Sequence, residues 1–196
     1  MKAIVCWLFL FGIAIGIAQT ETVPISLSDA AIALTQQDVT YDPSYFSIGY
    51  PGGDVPSDKG VCTDVIIRAY RKLGVDLQKE VHEDMKANFQ SYPDYWGLRS
   101  TDKNIDHRRV PNLMRFFKRS GAEKPISDKA SDYLPGDVVS WQLSGGLKHI
   151  GIVVDHKSRD GKRPLVVHNI GAGQVLEDCL FDYRIIGHYR YAPATN

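Results

Sequence analysis

Apolar residues recur at helical spacing in four stretches of the first two thirds of the chain, and then give way to short β-rich runs. Residues 27–36, "LSDAAIALTQ", predict a first helix with Ser28 as N-cap. Val61, Val65, Ile66, Ala69, Tyr70 and Leu73 form one stripe of a second helix that starts at Cys62. Arg68, Arg71 and Lys72 take its other face, and Gly74 closes it. Residues 81–92, "VHEDMKANFQSY", predict a third helix. In residues 110–121 a fourth is marked by Val110, Leu113, Met114 and Phe117 and ended by Gly121. Between the first two lies a Tyr-, Pro-, Gly- and Asp-rich loop, residues 41–60, whose tyrosines either line a groove or cover the core. After "YLPGD" at 133–137 the runs "VVSWQL", "HIGIVVD", "PLVVHNI" and "IGHYRYA" are rich in β-branched and aromatic residues. Gly-containing turns separate them. Helices first and strands second predict an α+β domain with the N-terminal helices packed on an antiparallel meander.

The N-terminus stands apart from this pattern. "MKAIVCWLFLFGIAIGIAQT" has one Lys, a long apolar run and small residues at Gly16 and Ala18. That is the layout of a secretory signal peptide, residues 1–18, with cleavage after Ala18. Residues 19–196 then form one domain, exported to the periplasm or secreted, and no later apolar run is long enough to span a bilayer. The formal net charge is zero, so nothing in the balance of charge points to nucleic acid, or to a membrane once the signal is removed. No cofactor-binding motif is present, and no cofactor is expected.

Cleavage would also remove Cys6, leaving Cys62 and Cys179. In an oxidising compartment two cysteines invite a disulfide. Zinc held by Cys62, His149 and His168 is a second alternative, but neither HxxxH nor CxxC spacing supports it. The third is a nucleophile. Cys62 begins a helix, where free backbone N–H groups favour a thiolate. A nucleophilic thiol needs a base, and the base needs a third polar group to orient it. His149 opens one strand, and His168 ends the next with Asn169 beside it. On a regular strand His168 and Asn169 face opposite ways, so only one can serve, and His168 is the preferred choice. Cys on an early helix, His on a later strand and a polar residue on the following strand is a papain-like order. His82 and His107 sit among charged neighbours that predict ion-pair networks. His188 predicts packing, and Trp96 and Trp141 predict core or groove wall.

These segments resemble the NlpC/P60 superfamily of papain-like cysteine peptidases, most of which are cell-wall hydrolases. "GVCTDVIIRAYRKLGVDL" is similar to the family's Cys-bearing helix, "LPGDVVSW" to the turn entering the first core strand, "HIGIVVD" to the strand with the base, and "VVHNIGAG" to the strand with the third residue. "YPGGDVP", "EVHEDM", "NIDHRRVPNL" and "GHYRY" resemble more closely a secreted bacterial family of unknown function in that group. Val61 stands where the superfamily usually carries an acidic residue, and Thr63-Asp64 stands in place of its usual Ser-Gly. The resemblance implies a papain-like NlpC/P60-type fold and a Cys62 thiolate attacking amide bonds of peptidoglycan or muropeptides. His149 is then the general base and His168 the residue that orients it, with the Cys62 N–H in the oxyanion site. Stem-peptide carboxylates suit Arg108 and Arg109, which grip such groups bidentately. Tyr50 and Asp64 complete the expected substrate contacts. The alternatives are a non-catalytic wall- or partner-binding module, and an acyltransferase working through a thioester on Cys62.

Overall fold

The computed structural model describes residues 25–192; the expected signal segment 1–18 lies outside them. Four helices precede a five-stranded sheet: α1 (Leu27–Leu34), α2 (Cys62–Lys72), α3 (Leu77–Ala87) and α4 (Val110–Arg119), then β3 (Val138–Gln142), β4 (Lys148–Lys157), β5 (Pro164–His168), β6 (Val175–Glu177) and β7 (Arg184–Tyr189). A two-residue parallel ladder, β1 (Thr40–Tyr41) with β2 (Lys59–Gly60), ties together the ends of the long loop before α2. All pairs in the larger sheet are antiparallel, in the order β6-β5-β4-β3-β7. The fold is therefore α+β. Strands β3 to β6 form a meander, and β7 then returns across the sheet to pair with β3, so the meander is not complete as expected.

The sheet has an apolar layer on each face. Ile150, Ile152 and Val154 of β4 join Leu34, Ile66, Tyr70 and Phe117 of the helices in one core cluster. The alternate residue Val153 joins Val139, Trp141, Val166, Cys179 and Leu180 in the other. Helix α2 lies against the centre of the sheet with its stripe buried from Val61 to Tyr70 and Leu73 half-buried at its end. Its end is as expected: Gly74 has φ +80°, and the N–H groups of Gly74 and Val75 return to the carbonyls of Arg71 and Tyr70.

Two local expectations change. The cap of α1 is Ser26, whose hydroxyl accepts the Asp29 N–H at 3.1 Å. Ser28 instead accepts the Asp155 N–H at 2.9 Å and so pins α1 to the end of β4. Helix α3 starts four residues earlier than its apolar pattern implies, because Asp76 caps it through the Lys79 N–H. On the basic face of α2, Arg68 and Arg71 both reach Asp54 Oδ2, at 3.0 and 2.7 Å, and fasten the 41–60 loop over the helix. No helix among the described residues is long and apolar enough to cross a membrane.

Candidate functional site

Cys62 is the first residue of α2, and the turn that presents it is built by its neighbours. Val61 offers no side-chain acceptor, yet its carbonyl takes the Asp64 N–H at 3.0 Å, and the Asp64 Oδ2 accepts the Val61 N–H at 2.7 Å. This is half of a capping box, closed by the Asp64 side chain. Asp64 is itself held by Arg108, through Nε at 2.9 Å and Nη2 at 3.0 Å, a bidentate pair shielded from water. Arg108 also donates to the Ser44 carbonyl at 3.1 Å, and its own carbonyl accepts the Thr63 hydroxyl at 3.2 Å. Asp64 and Arg108, both expected at the substrate, are bonded to each other and to the turn around Cys62, and Arg108 also lines the cleft onto which Cys62 opens.

On the other side, Cys62 rests on β4. It shares a core cluster with Ile150, the residue directly after His149. His149 faces the far layer of the sheet, where its ring stacks on Trp141 with centroids 5.8 Å apart. The Trp141 indole N–H is fixed by the Leu180 carbonyl at 2.9 Å. His149 Nε2 lies 2.8 Å from His168 Nδ1, and His168 Nε2 lies 2.9 Å from Glu177 Oε2 on β6. Asn169, the other candidate for the third position, points elsewhere: its Nδ2 donates to the Gly60 carbonyl at 3.3 Å, joining the end of β5 to the segment before Cys62. Glu177 was not foreseen.

The partners assign the tautomers. The Glu177 carboxylate only accepts, so His168 carries its hydrogen on Nε2 and accepts on Nδ1. His149 then donates from Nε2, which leaves the Nδ1 lone pair as its basic atom. The chain of rings depends on Gly151. A Cβ there would fall 2.8 Å from Val166 Cγ1, 3.0 Å from the Val167 carbonyl oxygen and 3.1 Å from His168 Cβ, so Gly151 lets β5 carry His168 close to β4.

Burial sets the charge state. It pushes the Cys62 thiol up to about 12, against the pull of backbone N–H groups. It also brings His149 down to about 3, helped by the neighbouring His168, and lowers His168 against the opposing effect of Glu177. The helix start does not outweigh desolvation, so the resting pair is a neutral thiol and a neutral imidazole, not the thiolate that the sequence reading anticipated. Both Cys62 and Cys179 are free thiols, and they belong to opposite layers of the sheet.

Cys62 opens onto a cleft of about 470 Å³ whose walls include Tyr41, Trp96, Arg109 and Leu147. Arg109 lies over the Trp96 ring, 4.0 Å from its centroid, and its Nη1 is buried without a hydrogen-bond partner among the described residues. Arg109 is thus the one of the two expected arginines that keeps hydrogen-bonding capacity for a ligand. Tyr50 is not in this cleft; its ring packs edge-on against His82, which pairs with Asp106 at 2.9 Å. His188 bonds Asp137 at 2.7 Å and the Pro125 carbonyl at 3.0 Å.

A family model described as "Domain of unknown function (DUF1287)" matches residues 28–191, from α1 to beyond β7. The chain belongs to the DUF1287 family. The chain is also similar to "Uncharacterized protein YijF" of Escherichia coli (strain K12), 54% identical over 167 residues that cover 85% of this chain and 81% of that protein. Cys62, Arg109, His149, His168 and Glu177 all fall within the DUF1287 match.

Proposed function

We propose that this DUF1287 protein is an exported cysteine hydrolase that cleaves amide bonds in peptidoglycan peptides. The observation that carries the reading is a cysteine at a helix start that lines a cleft, with the Glu177–His168–His149 chain on the strands of the sheet its helix packs against. A cysteine-first helix laid on an antiparallel sheet, with the base on one strand and its orienting residue on the next, supports a papain-like NlpC/P60-type fold. The apolar N-terminal segment supports a periplasmic or secreted location.

This mechanism requires His149 Nδ1 to reach the Cys62 thiol and take its proton as the sulfur attacks the carbonyl carbon. Because both groups rest neutral, the proton moves only when substrate is in place. Developing charge on the carbonyl oxygen is met by the free N–H groups at the start of α2. The imidazolium then protonates the leaving amine, and water hydrolyses the thioester with His149 again as base. Arg109, flat on Trp96, binds a carboxylate of the stem peptide. Incubation with purified muropeptides should release new amine ends with the native protein and none with Cys62→Ala; identical behaviour of the two on every wall substrate would reject the hydrolase.

The raised Cys62 thiol favours a second reading, a wall-binding module with a silent site. That reading requires co-sedimentation with peptidoglycan, unchanged by Cys62→Ala and without any cleavage.

A further inference from the structure

The far end of the histidine chain also holds a thiol, Cys179, that hydrolysis does not use. Cys179 Sγ lies 3.6 Å from His168 Nε2, the same nitrogen that Glu177 Oε2 approaches to 2.9 Å, and these atoms all lie within 4.8 Å of one another. Sulfur, imidazole nitrogen and carboxylate oxygen are the ligand types of zinc. Bond lengths of about 2.3 Å to sulfur and about 2.0–2.1 Å to nitrogen place the two donors about 3.6 Å apart around a tetrahedral ion. That is the separation found for Cys179 and His168. The carboxylate must retreat by a few tenths of an ångström, and Glu177 is exposed enough to do so. Its exposure also gives an ion a route to two ligands that are otherwise buried.

We infer that His168, Glu177 and Cys179 form a binding site for zinc, with a fourth position left to water, and that an ion there disables the base of Cys62. The site stands on its own geometry; the disabling step rests on the hydrolase reading. Zinc accepts one lone pair each from Cys179 Sγ, His168 Nε2 and Glu177, and releases the thiol proton and the Nε2 proton. With Nε2 metallated, His168 must carry hydrogen on Nδ1, and it receives the one from His149 Nε2. His149 regains a proton from solvent at Nδ1, so both rings remain neutral and one proton is released overall. The lone pair of His149 now sits on Nε2 and faces His168, and Nδ1 can no longer accept the Cys62 proton. The same two hydrogen-bonded rings thus have an active and an inactive arrangement, selected by what occupies the outer nitrogen of His168.

The test measures binding and reactivity separately on the full-length protein. Zinc, with magnesium as control, is titrated into native protein, Cys62→Ala, Cys179→Ser and Glu177→Gln, with bound metal counted after dialysis and with cobalt used to report thiolate ligation by absorbance. One zinc per chain is expected in native protein and Cys62→Ala, none in Cys179→Ser, and binding at least about tenfold weaker in Glu177→Gln, which keeps a neutral side chain of the same shape at an exposed position. No binding to native protein, or binding retained by Cys179→Ser but lost in Cys62→Ala, overturns the site. For the switch, iodoacetamide labelling of the Cys62 peptide is followed by mass, with and without zinc. Zinc should slow it in native protein and leave the ratio near one in Cys179→Ser. Stoichiometric zinc without slowing overturns the switch. Failure of the hydrolase reading appears instead as absent muropeptide cleavage in the zinc-free protein.

Discussion

Glu177 Oε2 sits 2.9 Å from His168 Nε2, two hydrogen bonds from the nitrogen of His149 that faces away from His168. A half-exposed carboxylate on a three-residue edge strand therefore decides which atom of a buried ring is basic. Glu177→Ala should lower kcat/KM on muropeptides by roughly 10- to 100-fold, short of the loss from removing the base itself. Glu177→Gln, whose carbonyl oxygen still accepts from Nε2, should recover most of it and should keep the shape of the pH–rate profile. Equal activity of Glu177→Ala and native protein would show that the tautomers are set some other way.

Asp64→Ala strands the Arg108 guanidinium in a dry environment and opens the turn before Cys62. Loss of one partner of a buried pair costs about 3–5 kcal/mol. Urea unfolding should therefore show a large drop in midpoint, and the double change Asp64→Leu with Arg108→Met should lose much less than Asp64→Ala alone. A drop below about 1 kcal/mol for the single change would place the pair in the class of weak surface ion pairs.

Gly151→Ala pushes against backbone at the Val167 carbonyl, which cannot rotate away as a side-chain tip would. The expected cost is about 1–3 kcal/mol, with β5 displaced and activity reduced in the surviving folded fraction. Native stability and rate in this variant would refute the close approach of the two strands.

Stability should hold between roughly pH 6.5 and 9 and fall on either side. His149 and His107 are held near 3 by burial, against an ordinary 6.5, so the unfolded chain takes up protons that the folded chain refuses. Stability is complete above 6.5 and is lost as pH falls toward 3. Cys62 keeps its proton to about 12 against an ordinary 9.0, so the unfolded chain loses it first and stability declines above pH 9. Denaturant midpoints across this range check the profile, and an unchanged midpoint from pH 7 to pH 4 would contradict the burial of both rings.

Arg109→Ala should raise KM for carboxylate-bearing stem peptides with a smaller effect on kcat, and Arg109→Lys should restore only part of the binding, since a lysine ammonium does not reproduce the planar fork. Unchanged KM with amidated and carboxylate substrates alike would remove Arg109 from the binding role.

Much of this site could be read in the chain, for identifiable reasons. The stripe of α2 and the placement of Cys62, His149 and His168 at element ends follow from periodicity and turn residues, which are local signals. Glu177 was missed because β6 has three residues, no apolar alternation and a Gly-rich turn before it. The role of Asp64 was missed because a Val at the cap position hides the capping box. The contacts of Arg68 were not foreseen because helix periodicity says nothing about a loop folding back over it. The choice between His168 and Asn169 turned on a hydrogen bond to Gly60, 109 positions away, which no local pattern encodes.

That same bond has a consequence for when the thiol becomes useful. Asn169 and the Gly60 carbonyl clamp the beginning of the reactive segment to the end of β5, so the pieces that serve Cys62 come from both ends of the domain. A chain still emerging, or one held open, carries Cys62 with no ring to deprotonate it and no cleft to select a target. On the proposed reading of an exported hydrolase, completion of the fold is then the activating event, the part that removal of an inhibitory segment plays in a zymogen, and a protein in transit would be harmless to whatever it passes.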